Sequence, residues 1–292
     1  MSESKPPGRL SMHAGELLEG RYRVLDVIGK GGHGVVYQGF DEEAQREVAI
    51  KFLHPEIAAD PEYNVRLLRE AQACAKLAGT AAIQIYALRT DPSSGALFVV
   101  MELLEGRDLE EHLHAWESHG KPIPLEHVKA IFDPIVRTLE QAHALGIIHR
   151  DLKPSNVYLT KSQQVKLLDF GLAKMMKASP LTREGMVAGS PSYIAPEAWR
   201  GDPRKLDHRI DCYSLGALLF RVLAGRPPFV GSIVELMQAA LGAERPSLHA
   251  LRPDLSPDVD AWTNQALAIN PDRRFQKVTG MWIALQHVLQ LI

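Results

Sequence analysis

The chain has 292 residues, of which 46% are hydrophobic and 23% charged, and its formal net charge is −2. These ordinary globular values exclude a disordered chain, and the near-neutral balance gives no general reason to expect nucleic acid or a membrane as partner. The two cysteines, Cys74 and Cys212, can build neither a disulfide framework nor a metal cluster, so we expect a cytoplasmic protein. Met1–Leu10 lacks the apolar core of a signal peptide, and no uncharged apolar run reaches the roughly 20 residues of a membrane helix.

The first third of the chain has the composition of a sheet. A loose polar tail is expected over residues 1–15, and good helix formers predict one helix over Tyr63–Leu77. Alternating and β-branched residues predict the strands Tyr22–Ile28, Val35–Phe40, Glu47–Leu53, Ile83–Leu88 and Ala96–Leu103.

Helical periodicity dominates after Gly106, and only two short strands, Val157–Leu159 and Val165–Leu168, are predicted there. The predicted helices are Asp108–Glu117, Leu125–Leu145, Leu206–Ala224, Ile233–Leu241, Asp258–Ile269 and Thr279–Leu291. The pattern predicts an α+β protein with a small strand-rich lobe over residues 16–103 and a larger helical lobe over residues 104–292.

A glycine-rich turn, Gly29-Lys30-Gly31-Gly32-His33-Gly34, joins the first two predicted strands. Glycines at such a turn let the backbone close over phosphates and direct its N–H groups at them. A strand rather than a helix follows, which excludes a dinucleotide-binding fingerprint, and the turn lacks the Gly-Lys-Ser/Thr ending of a Walker loop. Glycine-rich turns that bind nothing are also common, so this motif alone leaves both interpretations open.

A lysine ends the apolar segment Val48-Ala49-Ile50-Lys51. Such a lysine is usually a solvated edge residue, but the spacing of Lys51 after the glycine-rich turn favours phosphate binding. A partly buried ammonium needs a counter-charge, which Glu70 on the following predicted helix can supply. Helix periodicity alone favours simple solvation of Glu70.

Three more motifs follow in order. His149-Arg150-Asp151-Leu152-Lys153-Pro154-Ser155-Asn156 comes first, Asp169-Phe170-Gly171 lies 18 residues after its aspartate, and Ala195-Pro196-Glu197 comes last. With the glycine-rich turn and Lys51, this ordered set resembles the protein kinase family over about residues 20–290. Lys153, two residues after Asp151, matches the Ser/Thr branch, and the segment 211–216 looks most like that of bacterial Ser/Thr kinases.

The resemblance implies a bilobal kinase fold in which the small lobe carries one key helix. It also implies a signalling enzyme that uses ATP with Mg²⁺, or Mn²⁺ as an alternative, and phosphorylates Ser or Thr hydroxyls of protein substrates and of itself. Asp151 would orient the hydroxyl proton and Lys153 would neutralise the γ-phosphate. Lys51, fixed by Glu70, would hold the α- and β-phosphates. The implied metal ligands are Asn156 and Asp169.

The same resemblance assigns an adenosine site. Besides the glycine-rich turn, the implied ATP-binding residues are Ile28, Val36, Ala49, Met101, Glu102, Leu104, Asp108 and Tyr158. Met101 would be the gatekeeper, and the Glu102 carbonyl and Leu104 N–H would pair with the adenine edge. Asp108 has two equal interpretations, a ribose-binding acid or a helix cap. Tyr158 departs from the family pattern, which usually has Leu or Ile beneath the adenine.

Four further features concern packing and substrate. Cys74 stands where the family usually has a larger aliphatic residue, and we interpret it as a small buried hydrophobe rather than a redox sensor. Cys212 is expected in the core. Glu197 and Arg274 match the family's buried ion pair. The segment Gly189–Glu197 matches the peptide-positioning element of protein kinases.

The segment between Asp169 and Glu197 suggests control by an anion. By family position, the cations that would meet a phosphate are Arg150, Arg66 and Lys174. The usual phosphorylated threonine is replaced by Met186, which leaves Thr182 as the expected acceptor and Glu184 as a fixed carboxylate. Packing alone is the alternative that orders this segment.

Two other functions compete with an active Ser/Thr protein kinase. A pseudokinase would keep the fold without phosphotransfer, but every catalytic identity is present. A small-molecule kinase is disfavoured by the segment Gly189–Glu197. The sequence names neither the protein substrate nor the oligomeric state.

Overall fold

The computed structural model describes residues 14–31, 34–53, 74–92, 95–118, 120, 122–170, 191–201 and 206–291. The chain divides into two compact units. Residues 1–78 and 83–105 form the first, and residues 79–82 and 106–292 form the second. The first is rich in strands and the second in helices, so the predicted α+β class is confirmed.

The first unit contains a six-stranded sheet in the order β1-β2-β3-β4-β6-β5, in which every neighbouring pair is antiparallel. Its strands are β1 (Leu17–Leu18), β2 (Tyr22–Gly31), β3 (Gly34–Asp41), β4 (Arg46–Phe52), β5 (Ile85–Thr90) and β6 (Leu97–Glu102). Cross-strand partners share a face of a sheet. The row Tyr37, Ile50 and Val100 therefore lies on one face, where it belongs to a buried aromatic and aliphatic core.

The second unit combines a small antiparallel sheet with helices. The sheet comprises β7 (Gly106–Asp108), β8 (Val157–Thr160) and β9 (Val165–Leu167). The helices are α1 (Leu109–Glu117), α2 (Leu125–Ala144), α3 (Pro196–Trp199), α4 (Arg209–Ala224), α5 (Ile233–Gly242), α6 (Leu248–Leu251), α7 (Asp258–Ala266) and α8 (Val278–Val288). Helix α4 is buried on all sides from Ile210 to Leu223 and forms the centre of this unit.

Most predicted elements are present with shifted ends. The helix predicted from Leu206 begins at Arg209, because the Asp207 carboxylate accepts from the Arg209 N–H at 2.9 Å and holds a turn there. The helix predicted to reach Ile269 ends at Ala266, shortly before Pro271. Strand β7 and helices α3 and α6, all short, were not predicted.

Two predictions concern the chain's tail and a possible membrane span. Gly15, placed in the predicted tail, donates its N–H to the Val24 carbonyl at 2.8 Å. Among the described residues, no helix combines the length and the apolar character that crossing a membrane requires.

Of the predicted helix Tyr63–Leu77, only residues 74–77 are among the described residues, and Cys74 there is buried.

Candidate active site

The glycine-rich turn lies at the end of the β2–β3 hairpin. Gly31 pairs with Gly34, so two residues, Gly32 and His33, separate the paired positions, and both lie outside the described residues. Gly34 has a φ of +128°, and a Cβ there would come within 1.9 Å of the Phe52 carbonyl oxygen. Only glycine fits this position, and the close approach of β3 to β4 depends on it.

The face of this sheet opposite the core row brings together several residues predicted to bind ATP. Val36 pairs with Lys51 across β3 and β4, and Ala49 pairs with Met101 across β4 and β6. Since Ala49 and Lys51 are two residues apart on one strand, all four side chains share the face opposite the core row. Lys51 is 8% exposed. Ile28 lies where the β2–β3 register shifts, and it is half exposed.

The end of strand β6 is held by hydrogen bonds to Gln84. The Glu102 N–H donates to the Gln84 carbonyl at 2.9 Å, and a Glu102 carboxylate oxygen accepts from the Gln84 N–H at 2.7 Å. These bonds fix the strand end at Glu102, whose carbonyl is predicted to pair with adenine. Leu104, whose N–H is predicted to do the same, lies two residues further on. Glu70, the predicted partner of Lys51, lies outside the described residues.

The loop before β8 gathers the predicted catalytic groups of the second unit. Lys153 Nζ lies 3.0 Å from Asp151 Oδ2, and the Asn156 Nδ2 donates to the same oxygen at 3.1 Å and to the Asp151 carbonyl at 2.7 Å. All three side chains are largely buried. A carboxylate fixed in this way keeps one orientation, as a group that accepts or orients a hydroxyl proton requires.

The two predicted metal ligands are brought close together by the backbone. Val157 pairs with Leu167, and the Leu168 N–H donates to the Asn156 carbonyl at 2.9 Å, so Asn156 lies beside the residue preceding Asp169. The Asn156 amide nitrogen is bound to Asp151, which leaves its oxygen as the group suited to a cation. One amide oxygen and one carboxylate fit Mg²⁺, which prefers hard oxygen ligands and retains water and phosphate oxygens.

The loop over residues 149–156, which carries the predicted catalytic groups and is called the catalytic loop below, is held by a buried carboxylate whose role the sequence analysis missed. Asp211 of α4 is fully buried and accepts from the His149 N–H, the Arg150 N–H and the His143 Nε2, each at 2.8 Å. Burial raises the pKa of Asp211, but the bonds from His143 and His149 outweigh it and leave the pKa below its usual range. An aspartate in a helix buried on all sides must have polar partners, and that signal was readable in the sequence.

Two residues of the loops have left-handed backbone. Arg150 has a φ of 65° and Asp169 a φ of 53°, conformations that cost a non-glycine residue roughly 1–2 kcal/mol. The bond from the Arg150 N–H to Asp211 offsets that cost at the first position. Such strain concentrates at functional sites.

His149, the first residue of the same loop, is fully buried. Its ring lies 4.6 Å from the ring of Phe170, and its Nδ1 accepts from the Asp151 N–H at 3.3 Å. Burial lowers the pKa of His149 despite the carboxylates nearby, so the ring is neutral near pH 7. A neutral ring provides the unprotonated Nδ1 that this bond needs.

Asp108 and Tyr158 lie side by side in the small sheet, where β7 and β8 pair them directly. The Asp108 carboxylate accepts from the Glu111 N–H at 2.9 Å and caps α1, as one of its two interpretations predicted. The four predicted regulatory residues besides Arg150 lie outside the described residues: Arg66, Lys174, Thr182 and Glu184.

The predicted buried ion pair is present. Arg274 Nη1 lies 2.8 Å from one Glu197 oxygen and its Nη2 lies 3.1 Å from the other. The arginine side chain is fully buried. Cys212 is also fully buried, and burial raises its pKa to about 12, so it is a core residue as expected.

Comparisons with known proteins agree with this geometry. The chain is 36% identical to the serine/threonine-protein kinase PksC of Streptomyces coelicolor over 286 residues, 96% of this chain and 51% of that protein. It is 35% identical to the serine/threonine-protein kinase PknB of Mycolicibacterium smegmatis over 90% of this chain and 42% of that protein. The chain thus spans about half the length of these curated relatives or less.

The crystal structure of the PknI kinase domain of Mycobacterium tuberculosis superimposes with a TM-score of 0.75 at 29% identity. That match covers 95% of this chain and 99% of the PknI domain. The family profile of the protein kinase domain matches residues 22–287. A match of this extent, over a chain that carries the ordered kinase motifs, shows that this chain belongs to the protein kinase family.

Proposed function

We propose that this chain is an active kinase that transfers the γ-phosphoryl group of ATP to Ser or Thr hydroxyls of proteins. The observation that carries the proposal is the arrangement of Asp151, Lys153 and Asn156, in which one buried carboxylate oxygen meets an ammonium and an amide. The relatives named serine/threonine-protein kinases support the same chemistry.

Phosphoryl transfer passes through a loose, highly charged transition state, so the protein mainly positions groups and neutralises charge. Asp151 orients the acceptor hydroxyl and receives its proton. Lys153 Nζ lies 3.0 Å from Asp151 Oδ2. Lys153 can therefore neutralise the negative charge of the γ-phosphoryl group when that group reaches the hydroxyl held by Asp151. Asn156 and Asp169 would hold Mg²⁺, or Mn²⁺ in its place. The metal, when bound, neutralises phosphate charge.

The sheet face of the first unit that carries Ala49 and Lys51 supplies the nucleotide contacts in this proposal. Lys51 binds the α- and β-phosphates with Glu70 as its counter-charge, and the paired residues Ala49 and Met101 line the adenine. The segment ending at Glu197 positions the acceptor peptide. The protein substrate, autophosphorylation and a cytoplasmic location belong to the same proposal.

The test compares wild type with Asp151→Asn, incubated with Mg·ATP and myelin basic protein. We expect the variant to bind ATP normally and to lose at least about 100-fold in turnover, the lower range for loss of a proton acceptor. Asp272→Asn, at an exposed aspartate of the same unit, is the matched control and keeps wild-type turnover.

The outcomes separate the competing functions. Wild-type turnover in Asp151→Asn would remove the assigned role of that residue. Binding of Mg·ATP by wild type without any transfer would instead identify a pseudokinase. Phosphoamino acid analysis of the product must show phosphoserine or phosphothreonine, and transfer to small molecules alone would contradict a protein kinase.

A further inference from the structure

A four-residue segment of the second unit is separated in sequence from the rest of that unit. Residues 79–82 belong to the second unit, although the chain on either side of them, residues 1–78 and 83–105, belongs to the first. Ala81 and Ala82 in this segment are 8% and 6% exposed, so their backbone polar groups have little access to water. Buried backbone groups need hydrogen-bond partners, and the partners of Ala81 indicate what the segment does.

The Ala81 N–H is bound by a threonine of α2. Thr138, which is 1% exposed, accepts from the Ala81 N–H at 2.9 Å. The same hydroxyl donates to the Pro134 carbonyl, one turn earlier in α2, at 2.8 Å. Because its donor is used within the helix, the hydroxyl has a fixed orientation and presents a lone pair to Ala81. Thr138 therefore holds the segment 79–82 against α2.

The Ala81 carbonyl is bound to the strand that leads to a proposed metal ligand. It accepts from the Leu167 N–H of β9 at 2.6 Å, and a parallel bridge joins the same two segments. On the other edge of β9, which pairs with β8, the Leu168 N–H donates to the Asn156 carbonyl at 2.9 Å. The two residues before Asp169 are thus held from opposite sides, one by the segment 79–82 and one by Asn156.

The backbone of Asp169 makes this support necessary. Its φ of 53° lies in the left-handed region, which a non-glycine residue keeps only where the surrounding structure holds it. If the bond between Ala81 and Leu167 is weakened, the end of β9 is held by β8 alone. Asp169 can then relax to a more favourable φ, and its carboxylate moves relative to Asn156, the other proposed metal ligand.

We propose that Thr138 is a positioning residue for Mg²⁺ binding, because it fixes Asp169 through the segment 79–82 and β9. The inference rests on the proposed kinase function and adds a residue of α2 that lies outside every catalytic motif. Lys51 and the residues predicted to line the adenine belong to the first unit. Loss of the Thr138 hydroxyl therefore acts on the Mg²⁺-dependent part of nucleotide binding and leaves the remaining part unchanged.

The experiment measures by calorimetry the affinity for AMP-PNP, a non-hydrolysable ATP analogue, once with Mg²⁺ and once with EDTA. The ratio of the two affinities is the gain that Mg²⁺ supplies. Thr138→Val keeps the shape of the side chain and removes the hydroxyl. We expect it to lower this ratio about fivefold, the factor for one neutral hydrogen bond, while binding in EDTA changes less than about twofold. Thr138→Ser keeps the hydroxyl and should have the wild-type ratio.

Thr263 of α7 provides a matched control for simple loss of stability. It is also 1% exposed, and its hydroxyl donates to the Val259 carbonyl, one turn earlier in the same helix, at 2.8 Å. Thr263→Val removes this bond within a helix, as Thr138→Val does in α2, but leaves the Ala81 N–H bound to Thr138. The ratio should therefore stay at the wild-type level.

The results that overturn the inference are distinct from those that overturn the proposed function. A wild-type ratio in Thr138→Val, or an equal loss in Thr263→Val or Thr138→Ser, would each contradict the role of Thr138. If Thr138→Val does not fold, Thr138→Ala decides by the same ratio. Equal binding by wild type with Mg²⁺ and with EDTA would remove the proposed metal site and this inference with it. Mg²⁺-dependent binding without transfer to protein would contradict the kinase proposal, while the ratio for Thr138→Val still decides this inference.

Discussion

Replacing Asp211 by Asn tests how much the catalytic loop depends on one buried carboxylate. Asp211 accepts three hydrogen bonds, two at Oδ2 from His143 and His149 and one at Oδ1 from the Arg150 N–H. An asparagine of the same shape keeps its oxygen toward two of these donors. Its NH₂ group then faces the third, which loses its acceptor while buried.

The size of the effect follows from these bonds. A hydrogen bond to a charged acceptor contributes about 1.5–3 kcal/mol, and a buried donor left unsatisfied costs about 1–3 kcal/mol. We therefore expect the Asp211→Asn variant to lose about 3 kcal/mol of unfolding free energy, or about 6–12 °C in Tm at 2–4 °C per kcal/mol. Freed from its bond, Arg150 can leave the left-handed region where its φ is 65°, so kcat should fall as well.

The dependence on pH gives the measurement a second signature. The pKa of Asp211 is lowered in the folded state, so its stabilisation is present above the unfolded value of roughly 4 and is lost as pH falls through the folded pKa. The asparagine variant lacks this titration. The difference in stability between wild type and variant should therefore be constant near pH 7 and narrow below about pH 4.

Thermal unfolding by calorimetry, with kcat measured on the same samples, checks the prediction. Asp207→Asn is the control, since that aspartate is 45% exposed and its ion pair with Arg209 should contribute no more than about 1 kcal/mol. A Tm of Asp211→Asn within about 2 °C of wild type, together with wild-type kcat, would refute the claim that this carboxylate holds the loop.

Three other predictions address the metal, the ion pair and the loop. Asp169→Ala should weaken the Mg²⁺-dependent part of the thermal shift that ATP produces, and an undiminished shift would argue against metal binding there. Glu197→Gln should cost about 3–5 kcal/mol in urea unfolding, because Arg274 would remain buried without its carboxylate; a loss below 1 kcal/mol would contradict this. Mass spectrometry should find phosphate on Thr182 in wild type and none in protein lacking Asp151. If Thr182 is never modified and neither Thr182→Ala nor Glu184→Ala alters the rate, anion control of this segment is wrong.

The sequence was most informative where a local pattern matches a local structure. Strands β2 to β4 alternate in hydrophobicity and are separated by glycine or polar turns, so their positions were predictable within a few residues. Strand β7 and helix α6 are three and four residues long, too short for any periodicity to be visible. The beginning of α4 was misplaced because the turn formed by Asp207 depends on a side-chain bond that composition does not reveal.

The candidate site also has a part that a local motif predicts and a part that depends on contacts distant in sequence. Asp151, Lys153 and Asn156 lie within six residues of one another, so the motif that names them also brings them together, and the structure adds the 3.0 Å contact. Asp211 and Arg221 act across long separations in sequence. Asp211 binds the loop at 149–150, and Arg221 pairs with Glu117 of α1.

Helix α4 connects these two long-range contacts. It is buried on all sides, and its first turn holds the loop at 149–150 through Asp211, while Arg221 in its last turns pairs with Glu117 at the end of α1. A buried helix has no solvent to satisfy its charged residues, so each must pair with another segment, and the pairing fixes that segment in turn. The residues proposed to orient the acceptor hydroxyl, Asp151 and Lys153, follow directly on the loop positions that this central helix holds through Asp211.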